Sequence, residues 1–342
     1  MTAATHMHRE IREIPGAVDN LLTRGAGAMD TAAAAIRASD PLFFVSVARG
    51  SSDHAATYAK YVSEILTGLP VASVGPSVAS VYGRTLKLDR AACLAISQSG
   101  KSPDIVRMVD MAGRQGALSV ALTNNPDSDL ARVAAHTLEL HAGEELSVAA
   151  TKTFVTSVVA GVWLMAELAQ DAELLAAIRA LPEALDRAVQ ADWSALSDVL
   201  CETDSLYCLG RGPAFAMSNE AALKFKETCQ VHGESYSSAE VLHGPVSIVD
   251  QGFPVIAMAA ADAAEDAVIE VADQLAAKGA QVFATTGKAT KAQVLPVVRT
   301  GHPLTDPIAL IASFYGMVER TAHARGINPD APRHLRKVTE TV

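Results

Sequence analysis

One strand–turn–helix pattern occurs twice in the chain, and this repetition constrains the fold more than any other feature. In the first half, the apolar run LFFVSVA leads through Arg49 and Gly50 into the amphipathic stretch DHAATYAKYVSEILTG. In the second half, LYCLG leads through Arg211 and Gly212 into AFAMSNEAALKFKE. A short apolar run that ends near glycine and continues into helical spacing is typical of a strand in a parallel sheet. Two copies of the pattern predict a duplicated α/β domain.

Further apolar runs alternate with helical patterns in both halves. They are VASVG, ACLAIS, LSVALT and HTLEL in the first half, and PVIAMAA, QVFATT and VLPVVR in the second. Strands that alternate with helices predict a parallel sheet covered on both faces. Residues 151–169 predict one long helix, and residues 171–200 continue helically across Pro182. The second of these segments has no strand pattern, so we expect it to connect the two domains.

The overall composition limits the classes of function. The 342 residues are enough for about two domains, and the net charge of -10 argues against a nucleic-acid-binding surface, which would be basic. The N-terminus lacks the apolar core of a secretory signal. The stretch FVTSVVAGVWLMAELA is short for a membrane span and contains Thr156 and Ser157, so we expect a buried helix. These features predict a cytoplasmic protein that binds neither nucleic acid nor membrane.

The cysteines and histidines show no pattern of metal ligands. The four cysteines form no CxxC pair, which predicts reduced and mostly buried thiols; they are Cys93, Cys201, Cys208 and Cys229. The ten histidines form no cluster with ligand spacing. We therefore expect no metal ion and no cofactor.

Three serines and a glycine follow ACLAIS in the loop SQSGKSPD, residues 97–104. Ligands of open parallel sheets bind beyond the carboxyl ends of the strands, where a helix N-terminus offers unpaired N–H groups to an anion. Ser97, Ser99 and Ser102 would add hydroxyl donors, and Gly100 would permit a close approach of the backbone. A capped helix would need only the Ser-Pro pair. The additional serines therefore favour a phosphate site.

The second copy of the pattern lacks this loop. After PVIAMAA the chain has ADAAEDA, with acids in place of serines, so only the first half is built to hold an anion in this way. Ser51 and Ser52 follow the first strand and are expected at the same edge of its sheet, as a second wall of the site. The chain contains neither GxxxxGK[ST] nor GxGxxG, so a nucleotide is not the first expectation.

The loop SQSGKSPD, the turn GSS and the later segment SVAATKTF resemble the sugar isomerase (SIS) domain, which binds phosphosugars. Nearly the whole chain resembles two such domains in tandem, as in the isomerase half of glucosamine-6-phosphate synthase (glutamine:fructose-6-phosphate amidotransferase). The resemblance implies an α/β fold in which each domain is a parallel sheet flanked by helices, a flavodoxin-like three-layer sandwich. The implied parts are an N-terminal arm (1–24), a phosphosugar-binding SIS domain (25–170), a helical linker (171–198), a catalytic SIS domain (199–326) and a C-terminal tail closing the active site (327–342).

The same resemblance implies a set of phosphosugar-binding residues. They are Ser51, Ser52, Ser97, Gln98, Ser99, Ser102 and Val148. The family often has serine where this chain has Ala150, and that position is left out of the set.

A row of charged residues in EAALKFKETCQVHGESYSSAEVLHGP is the candidate for proton transfer. Glu220, Lys224 and Glu227 are spaced for one helical face, and by spacing alone they would form a solvated salt-bridge stripe. Their apolar neighbours would instead bury part of the row. The segment resembles the family signature ExALKxKE...HGP, which implies that Glu227 moves a proton between sugar carbons one and two, beside Lys224. It also implies that His243 assists ring opening from the neighbouring subunit of a homodimer with shared active sites.

The C-terminal segment PRHLRKVTETV resembles the family tail that folds back over the sugar. The resemblance implies that Lys337 can form a Schiff base with the open-chain sugar. An amine does so only if desolvation or a nearby cation lowers its pKa. Arg333 and Arg336 are nearby cations in sequence.

The resemblance leaves several reactions open for a sugar phosphate substrate. The chain has no room before the first strand for the ammonia-producing domain of the synthase, and SGKSPD stands where the synthase typically has SGETAD. Both features favour a glutamine-independent glucosamine-6-phosphate deaminase of the SIS type, which forms fructose 6-phosphate and ammonia. The alternatives are an isomerizing aminotransferase subunit, a plain aldose–ketose isomerase, a deglycase acting on another amino-sugar phosphate, and a non-catalytic regulator that senses sugar phosphates.

Overall fold

The structure is a computed structural model that describes residues 4–337. The chain divides into two compact units. Of the described residues, the serine-loop unit contains 16–145, 152–179 and 336–337, and the glutamate unit contains 4–15, 146–151 and 180–335. The end of the predicted tail, residues 338–342, lies outside the described residues.

The helices and strands of the serine-loop unit alternate along most of its length. They are α2 (Ile14–Arg24, which begins in the glutamate unit), α3 (Ala26–Ser39), β1 (Phe43–Val47), α4 (Ser51–Leu66), β2 (Val71–Ser73), α5 (Ser77–Ser80), β3 (Ala91–Ile96), α6 (Pro103–Arg114), β4 (Leu118–Thr123), α7 (Asp129–Val133), β5 (His136–Glu139), α8 (Lys152–Ala169) and α9 (Ala172–Arg179). The predicted strands of the first half are all present.

The strands of the serine-loop unit form a parallel sheet in the order β2-β1-β3-β4-β5. Val45 and Cys93 belong to a buried cluster on one face of this sheet, together with Ile105 and Met108 of α6. Helices α3, α4 and α8 also pack on the strands, and because side chains alternate between the two faces of a strand, the sheet is covered on both faces. The sheet therefore has the parallel, helix-flanked architecture that the sequence predicts.

Helix α8 contains the longest apolar stretch of the chain. Among the described residues it is the one helix long and apolar enough to cross a membrane, but 83% of its apolar window is buried inside the structure. A Cβ atom on Gly161 would lie 3.3 Å from the Cβ atom of Ala59, so α8 and α4 pack closely. Its apolar surface is thus covered by protein, as in the core helix that the sequence predicts.

The glutamate unit repeats the alternation. Its elements are α1 (His6–Arg12), α10 (Leu181–Ala188), α11 (Ser194–Leu200), β6 (Ser205–Gly210), α12 (Pro213–Lys224), a π-helix (Phe225–Cys229), β7 (His232–Ser237), two 3-10 turns (Val241–His243 and Pro245–Ile248), β8 (Pro254–Ala257), α13 (Glu265–Ala277), β9 (Gln281–Ala284), β10 (Gln293–Val294) and α14 (Asp306–Ala324).

The two sheets have the same topology, which confirms the predicted duplication. In the parallel order β7-β6-β8-β9-β10, the strands β6 to β10 take the places of β1 to β5. The glycines of the repeated turn also match in conformation: Gly50 has φ 54° and ψ -132°, and Gly212 has φ 59° and ψ -140°. This positive-φ conformation favours glycine, which explains why both copies have it before the helix.

One predicted strand is shorter than expected, one helical segment is interrupted, and one strand was not predicted. The run VLPVVR is strand only at Val294, because Pro296 has no N–H with which to continue the ladder. The helical pattern across Pro182 is broken into α9, α10 and α11, and the proline lies in the first turn of α10, where a missing N–H costs nothing. The edge strand β7 was not predicted, because HGESYS is polar.

The cysteines are free thiols, as expected from their spacing. Cys93, Cys208 and Cys229 are buried and Cys201 is partly buried. Burial raises the pKa of Cys93 and of Cys208 to about 12. These thiols are therefore protonated core residues and not nucleophiles.

Candidate active site

Two helix N-termini meet the sheet of the serine-loop unit at the place where its strand order reverses. Strands β1 and β3 are hydrogen-bonded neighbours, although β2 lies between them in sequence. Helix α4 begins directly after β1, and α6 begins after β3. In doubly wound sheets, such a switch point carries the ligand crevice. Ser51 and Ser52 open α4, and Ser102 precedes α6.

The serine loop is a compact turn held by its own hydroxyl groups. The Oγ of Ser97 accepts a hydrogen bond from the amide of Gly100 at 3.3 Å, and the Oγ of Ser99 accepts one from the amide of Lys101 at 3.3 Å. Gly100 has φ 62°, and a Cβ atom there would lie 2.1 Å from the Oγ of Ser128. Each accepting hydroxyl retains its own proton for a further acceptor. The loop therefore needs a glycine and leaves serine donors for an anion.

Ser102 lies at the N-cap of α6, but its side chain makes no capping bond to the helix. A serine that served only to start the helix would accept a bond from one of the first amides. Its hydroxyl is thus suited to a ligand, whereas the amide of Ile105 in the first turn is already bonded to the side chain of Asp104. Ser102 therefore does not act as a side-chain cap of α6.

Arg49 and Asp104 form an ion pair between the two helix starts. Nε and Nη2 of Arg49 donate to Oδ2 of Asp104 at 3.1 and 2.7 Å. The Asp104 side chain is 1% exposed, whereas that of Arg49 is 52% exposed. Asp53, in the first turn of α4, has its pKa raised by burial, although His54 and Arg49 oppose the shift.

At the corresponding helix start of the glutamate unit, the first residue of α13 forms ion pairs with side chains of the same unit. Glu265, the first residue of α13, pairs with Lys288 at 2.7 Å and with Arg299 at 3.4 Å. Arg299 also pairs with the buried Asp306 at 3.0 Å. Carboxylates and their counter-ions thus occupy the helix start that carries serines in the first copy. The two copies of the fold therefore differ at this helix start, as the sequence predicts.

The predicted proton-transfer row is a buried cluster centred on Lys224. The Nζ of Lys224 lies 3.2 Å from Oε1 of Glu220 and is also hydrogen-bonded to Oε2 of Glu227. The side chains of Lys224 and Glu220 are 0% exposed, and that of Glu227 is 21% exposed. The hydroxyl of Tyr315 donates to Glu220 at 3.2 Å. The row is therefore not a solvated stripe, and Glu227 is its accessible member.

A change of helix type places Glu227 beside the lysine. Helix α12 ends at Lys224 and continues as the π-helix Phe225–Cys229, which ends at Gln230 in the left-handed conformation. π-Helical turns are uncommon and often occur at functional sites.

The lysine of this cluster is held as a cation. Burial alone would lower the pKa of Lys224, but the carboxylates of Glu220 and Glu227 outweigh it and raise the pKa above its usual value. An ammonium group beside an accessible carboxylate can stabilise negative charge on a substrate oxygen while the carboxylate moves a proton.

Val148 lies in a short segment that belongs to the glutamate unit. The buried carboxylate of Glu10 in α1 accepts hydrogen bonds from the amides of Leu146 and Ser147, the latter at 3.2 Å to Oε2. Glu10 is 4% exposed. The N-terminal helix thus positions the residues directly before Val148.

His243 lies on an exposed loop of the glutamate unit. It ends the 3-10 turn Val241–His243, and its residue is exposed. The hydroxyl of Tyr207 on β6 donates to the carbonyl oxygen of Pro245 at 2.9 Å, and the ring of Tyr207 packs edge-on against that of Tyr236. The loop is therefore fixed by a core residue, while His243 faces away from that core.

Lys337 is paired with a buried carboxylate. Its Nζ lies 2.7 Å from Oε2 of Glu145, whose side chain is 0% exposed. The same carboxylate accepts hydrogen bonds from the amide and the hydroxyl of Thr153, at 3.1 and 2.6 Å. The amine is therefore in direct contact with an anion from its own unit. Lys337 would have to leave Glu145 and lose a proton before it formed a Schiff base.

The predicted site residues fall into two groups, one in each unit. The serine-loop unit holds Ser51, Ser52, Ser97, Gln98, Ser99, Ser102 and Lys337, and the glutamate unit holds Val148, Lys224, Glu227 and His243. Sequence reasoning missed the partners that hold them, which are Glu10, Asp104, Glu145, Tyr207 and Tyr315. No local sequence pattern marks these residues as partners. Each of them contacts a residue that lies far away in the sequence or at the end of another strand.

Comparisons with known proteins agree with the fold and the motifs. The SIS domain family matches residues 44–167 and 200–295. A crystal structure from Silicibacter pomeroyi DSS-3, of a protein provisionally named a phosphosugar isomerase, is 63% identical, covers 96% of this chain and 100% of that one, and has a TM-score of 0.93. The glucosamine-6-phosphate deaminase of Thermotoga maritima shares the fold, at 20% identity and a TM-score of 0.78 over 97% of this chain and 99% of that one.

A longer relative matches in sequence. The glutamine–fructose-6-phosphate aminotransferase (isomerizing) of Methanothermobacter thermautotrophicus is 29% identical over 97% of this chain and 56% of its own length. The chain thus spans about half the length of the curated relatives it matches. The two SIS matches cover more than half of the chain and coincide with the two sheets. The chain belongs to the SIS domain family.

Proposed function

We propose that this chain is a phosphosugar isomerase that deaminates its substrate, converting glucosamine 6-phosphate and water to fructose 6-phosphate and ammonia. The observation that carries the proposal is the cluster at the end of α12. There an ammonium group, Lys224, is enclosed between a buried carboxylate, Glu220, and an accessible one, Glu227. Aldose–ketose isomerisation needs a base that moves one proton between neighbouring carbons and a cation beside the oxygen that becomes negative.

The reaction follows from a proton transfer between two carbons, a proton shift from nitrogen to oxygen, and one hydrolysis. In the open-chain sugar, Glu227 takes the proton from carbon two while negative charge develops on the oxygen of carbon one, and the buried ammonium of Lys224 holds Glu227 in place and adds positive charge behind it. Glu227 then returns the proton to carbon one. The oxygen of carbon one takes up a proton as the nitrogen on carbon two loses one, which leaves a hydroxyl at carbon one and an imine at carbon two. Water adds to the imine, and the carbon–nitrogen bond breaks to release ammonia and the ketone. The carboxylate finishes the cycle in its starting form.

The phosphate group is assigned to the switch point of the serine-loop unit. Its dianionic charge suits the N-termini of α4 and α6, where the positive ends of two helix dipoles lie. Ser51, Ser52, Ser97, Ser99 and Ser102 supply hydroxyl donors around these helix starts. This assignment supports a phosphorylated sugar over a neutral one.

Ring opening is assigned to His243 of a second subunit in a homodimer. His243 is exposed in the single chain, and exposed apolar residues flank it in sequence: Leu242 is 39% exposed and Ile248 is 56% exposed. Apolar side chains on both sides of an exposed histidine favour a protein–protein contact. The histidine would then enter the active site of the neighbouring chain.

The names of the relatives support the choice of sugar. One relative by sequence is named for fructose 6-phosphate, and one by fold is named for glucosamine 6-phosphate and its deamination. These two compounds are the product and the substrate of the proposed reaction.

A panel assay tests the proposal. The purified protein is incubated without glutamine with the 6-phosphates of glucosamine, galactosamine, glucose and fructosamine, and both ammonia and ketose are measured. The account predicts equal amounts of ammonia and fructose 6-phosphate from glucosamine 6-phosphate. Ketose from glucose 6-phosphate without ammonia from any amino sugar would instead indicate a plain isomerase. Amination of fructose 6-phosphate that requires a glutaminase partner would indicate an aminotransferase subunit.

A further inference from the structure

Asp104 places a negative charge at the helix start where the phosphate is proposed to bind. It is the second residue of α6, two positions after Ser102, and its side chain is 1% exposed. Its Oδ1 accepts a hydrogen bond from the amide of Ile105 at 2.9 Å. A buried carboxylate this close to an anion site opposes a second negative charge, since little water separates the two.

Arg49 supplies the counter-charge from the other wall of the site. It lies between β1 and α4, and both Nε and Nη2 donate to the same oxygen of Asp104, at 3.1 and 2.7 Å. The guanidinium therefore joins the turn that carries Ser51 to the helix that follows Ser102. A planar group with two donors on one carboxylate oxygen fixes orientation as well as charge.

The second copy of the fold also has an arginine at this turn, Arg211, but the acid at its helix start has other partners. Its acid at the start of α13, Glu265, is neutralised by Lys288 and Arg299, which follow β9 and β10. The pairing of the turn arginine with the acid of the next helix start is thus found in the copy that has the serine loop, as Arg49 with Asp104.

We infer that Arg49 is a positioning residue of the phosphate subsite. It neutralises the buried charge of Asp104 at the start of α6, so that this helix start can accept a dianionic phosphate monoester. This role rests on the proposed function, because it needs the phosphate at the switch point. It differs from a direct phosphate contact, since Arg49 acts through Asp104.

A double-mutant cycle tests the inference, with affinity for fructose 6-phosphate measured by titration calorimetry. Arg49→Gln leaves Asp104 without this counter-ion and should weaken binding about 10- to 100-fold. Asp104→Asn removes the repelling charge while the cation of Arg49 remains, so it should bind fructose 6-phosphate more tightly than the unchanged protein. The double variant, Arg49→Gln with Asp104→Asn, should return to within about threefold of it. Arg114→Gln is the matched control, because Arg114 pairs with Asp110 at 2.8 Å on the same helix.

The outcomes separate this inference from the proposed function. If the unchanged protein binds fructose 6-phosphate no better than fructose, the phosphate subsite itself is wrong, and the role of Arg49 falls with it. If it binds the phosphate but Arg49→Gln binds equally well, only the inference is overturned. A double variant as weak as Arg49→Gln also overturns it. Should Arg49→Gln fail to fold, as judged by circular dichroism, Asp104→Asn and the double variant still decide, because a direct role of Arg49 would make the double variant weaker than the unchanged protein.

Discussion

The Nζ of Lys337 lies 2.7 Å from Oε2 of Glu145, which joins the last described residue of the chain to a fully buried carboxylate. The same carboxylate binds both the amide and the hydroxyl of Thr153 at the start of α8. Glu145 therefore connects the tail to the core helix of the serine-loop unit. A substrate that draws Lys337 away must offer an interaction in place of this ion pair.

The first prediction concerns the attachment of the tail. Glu145→Gln removes the negative charge but keeps an oxygen acceptor for Thr153, so trypsin should cleave after Lys337 about tenfold faster than in the unchanged protein, because local opening becomes less costly. The measurement is the rate of loss of the terminal pentapeptide by mass spectrometry. Glu183→Gln, which affects a surface pair with Arg187, serves as control. Equal rates in the unchanged protein and Glu145→Gln would show that the pair does not hold the tail.

The second prediction concerns stability and alkaline pH. Lys224→Met leaves two carboxylates without their shared cation and should lower the free energy of unfolding by about 3–5 kcal/mol at pH 7. Since the folded-state pKa of Lys224 is raised, its contribution is complete below the unfolded pKa of about 10.4 and is lost as the pH rises above it. Urea unfolding at pH 7, 9 and 10.5 should therefore show a difference between the two proteins that shrinks at the highest pH.

Lys60→Met is the control for this series. Lys60 pairs with Glu64 at the same i,i+4 spacing and at the same 3.2 Å, but both side chains are partly exposed. Its loss should change the free energy of unfolding by less than about 1 kcal/mol. A difference for Lys224→Met that stays constant to pH 10.5 would contradict the raised pKa.

The third prediction concerns the serine loop. Ser97→Ala or Ser99→Ala removes a hydroxyl donor to a charged acceptor and should weaken the binding of a sugar phosphate by about 1.5–3 kcal/mol. Titration calorimetry with fructose 6-phosphate measures the change. Ser39→Ala is the control, because its hydroxyl donates to the carbonyl oxygen of Ile36 at the end of α3. Unchanged affinity in both loop variants would place the phosphate elsewhere.

The sequence predicted those parts of the fold and of the site that are formed by residues close together in the chain. The strand–glycine–helix repeat, the serine loop and the row that ends at Glu227 are each visible within about twenty residues. The contact between Tyr315 and Glu220 joins residues 95 positions apart, and that between Lys337 and Glu145 joins residues 192 apart. Hydrophobic periodicity indicates which face of an element is buried, but it does not indicate which distant side chain meets that face.

The fourth prediction concerns the homodimer. If His243 serves the active site of the neighbouring chain, then inactive His243→Ala and inactive Glu227→Gln chains complement each other when mixed. Each mixed dimer has one site with both residues intact and one with neither. Random exchange of subunits makes half of the dimers mixed, so about one quarter of the original activity should return. A fully active monomer, or no recovery after subunit exchange is verified, would contradict the shared site.

The proton-transfer step gives the most direct test of the central claim, that Glu227 moves a proton from carbon two to carbon one during deamination. Glucosamine 6-phosphate is incubated with the protein in deuterium oxide, and the product is examined by NMR. The account predicts fructose 6-phosphate with deuterium at carbon one where the shuttled proton has exchanged with solvent. With Glu227→Gln, turnover should fall by about two to four orders of magnitude while substrate binding persists. Near-normal turnover in Glu227→Gln would contradict it.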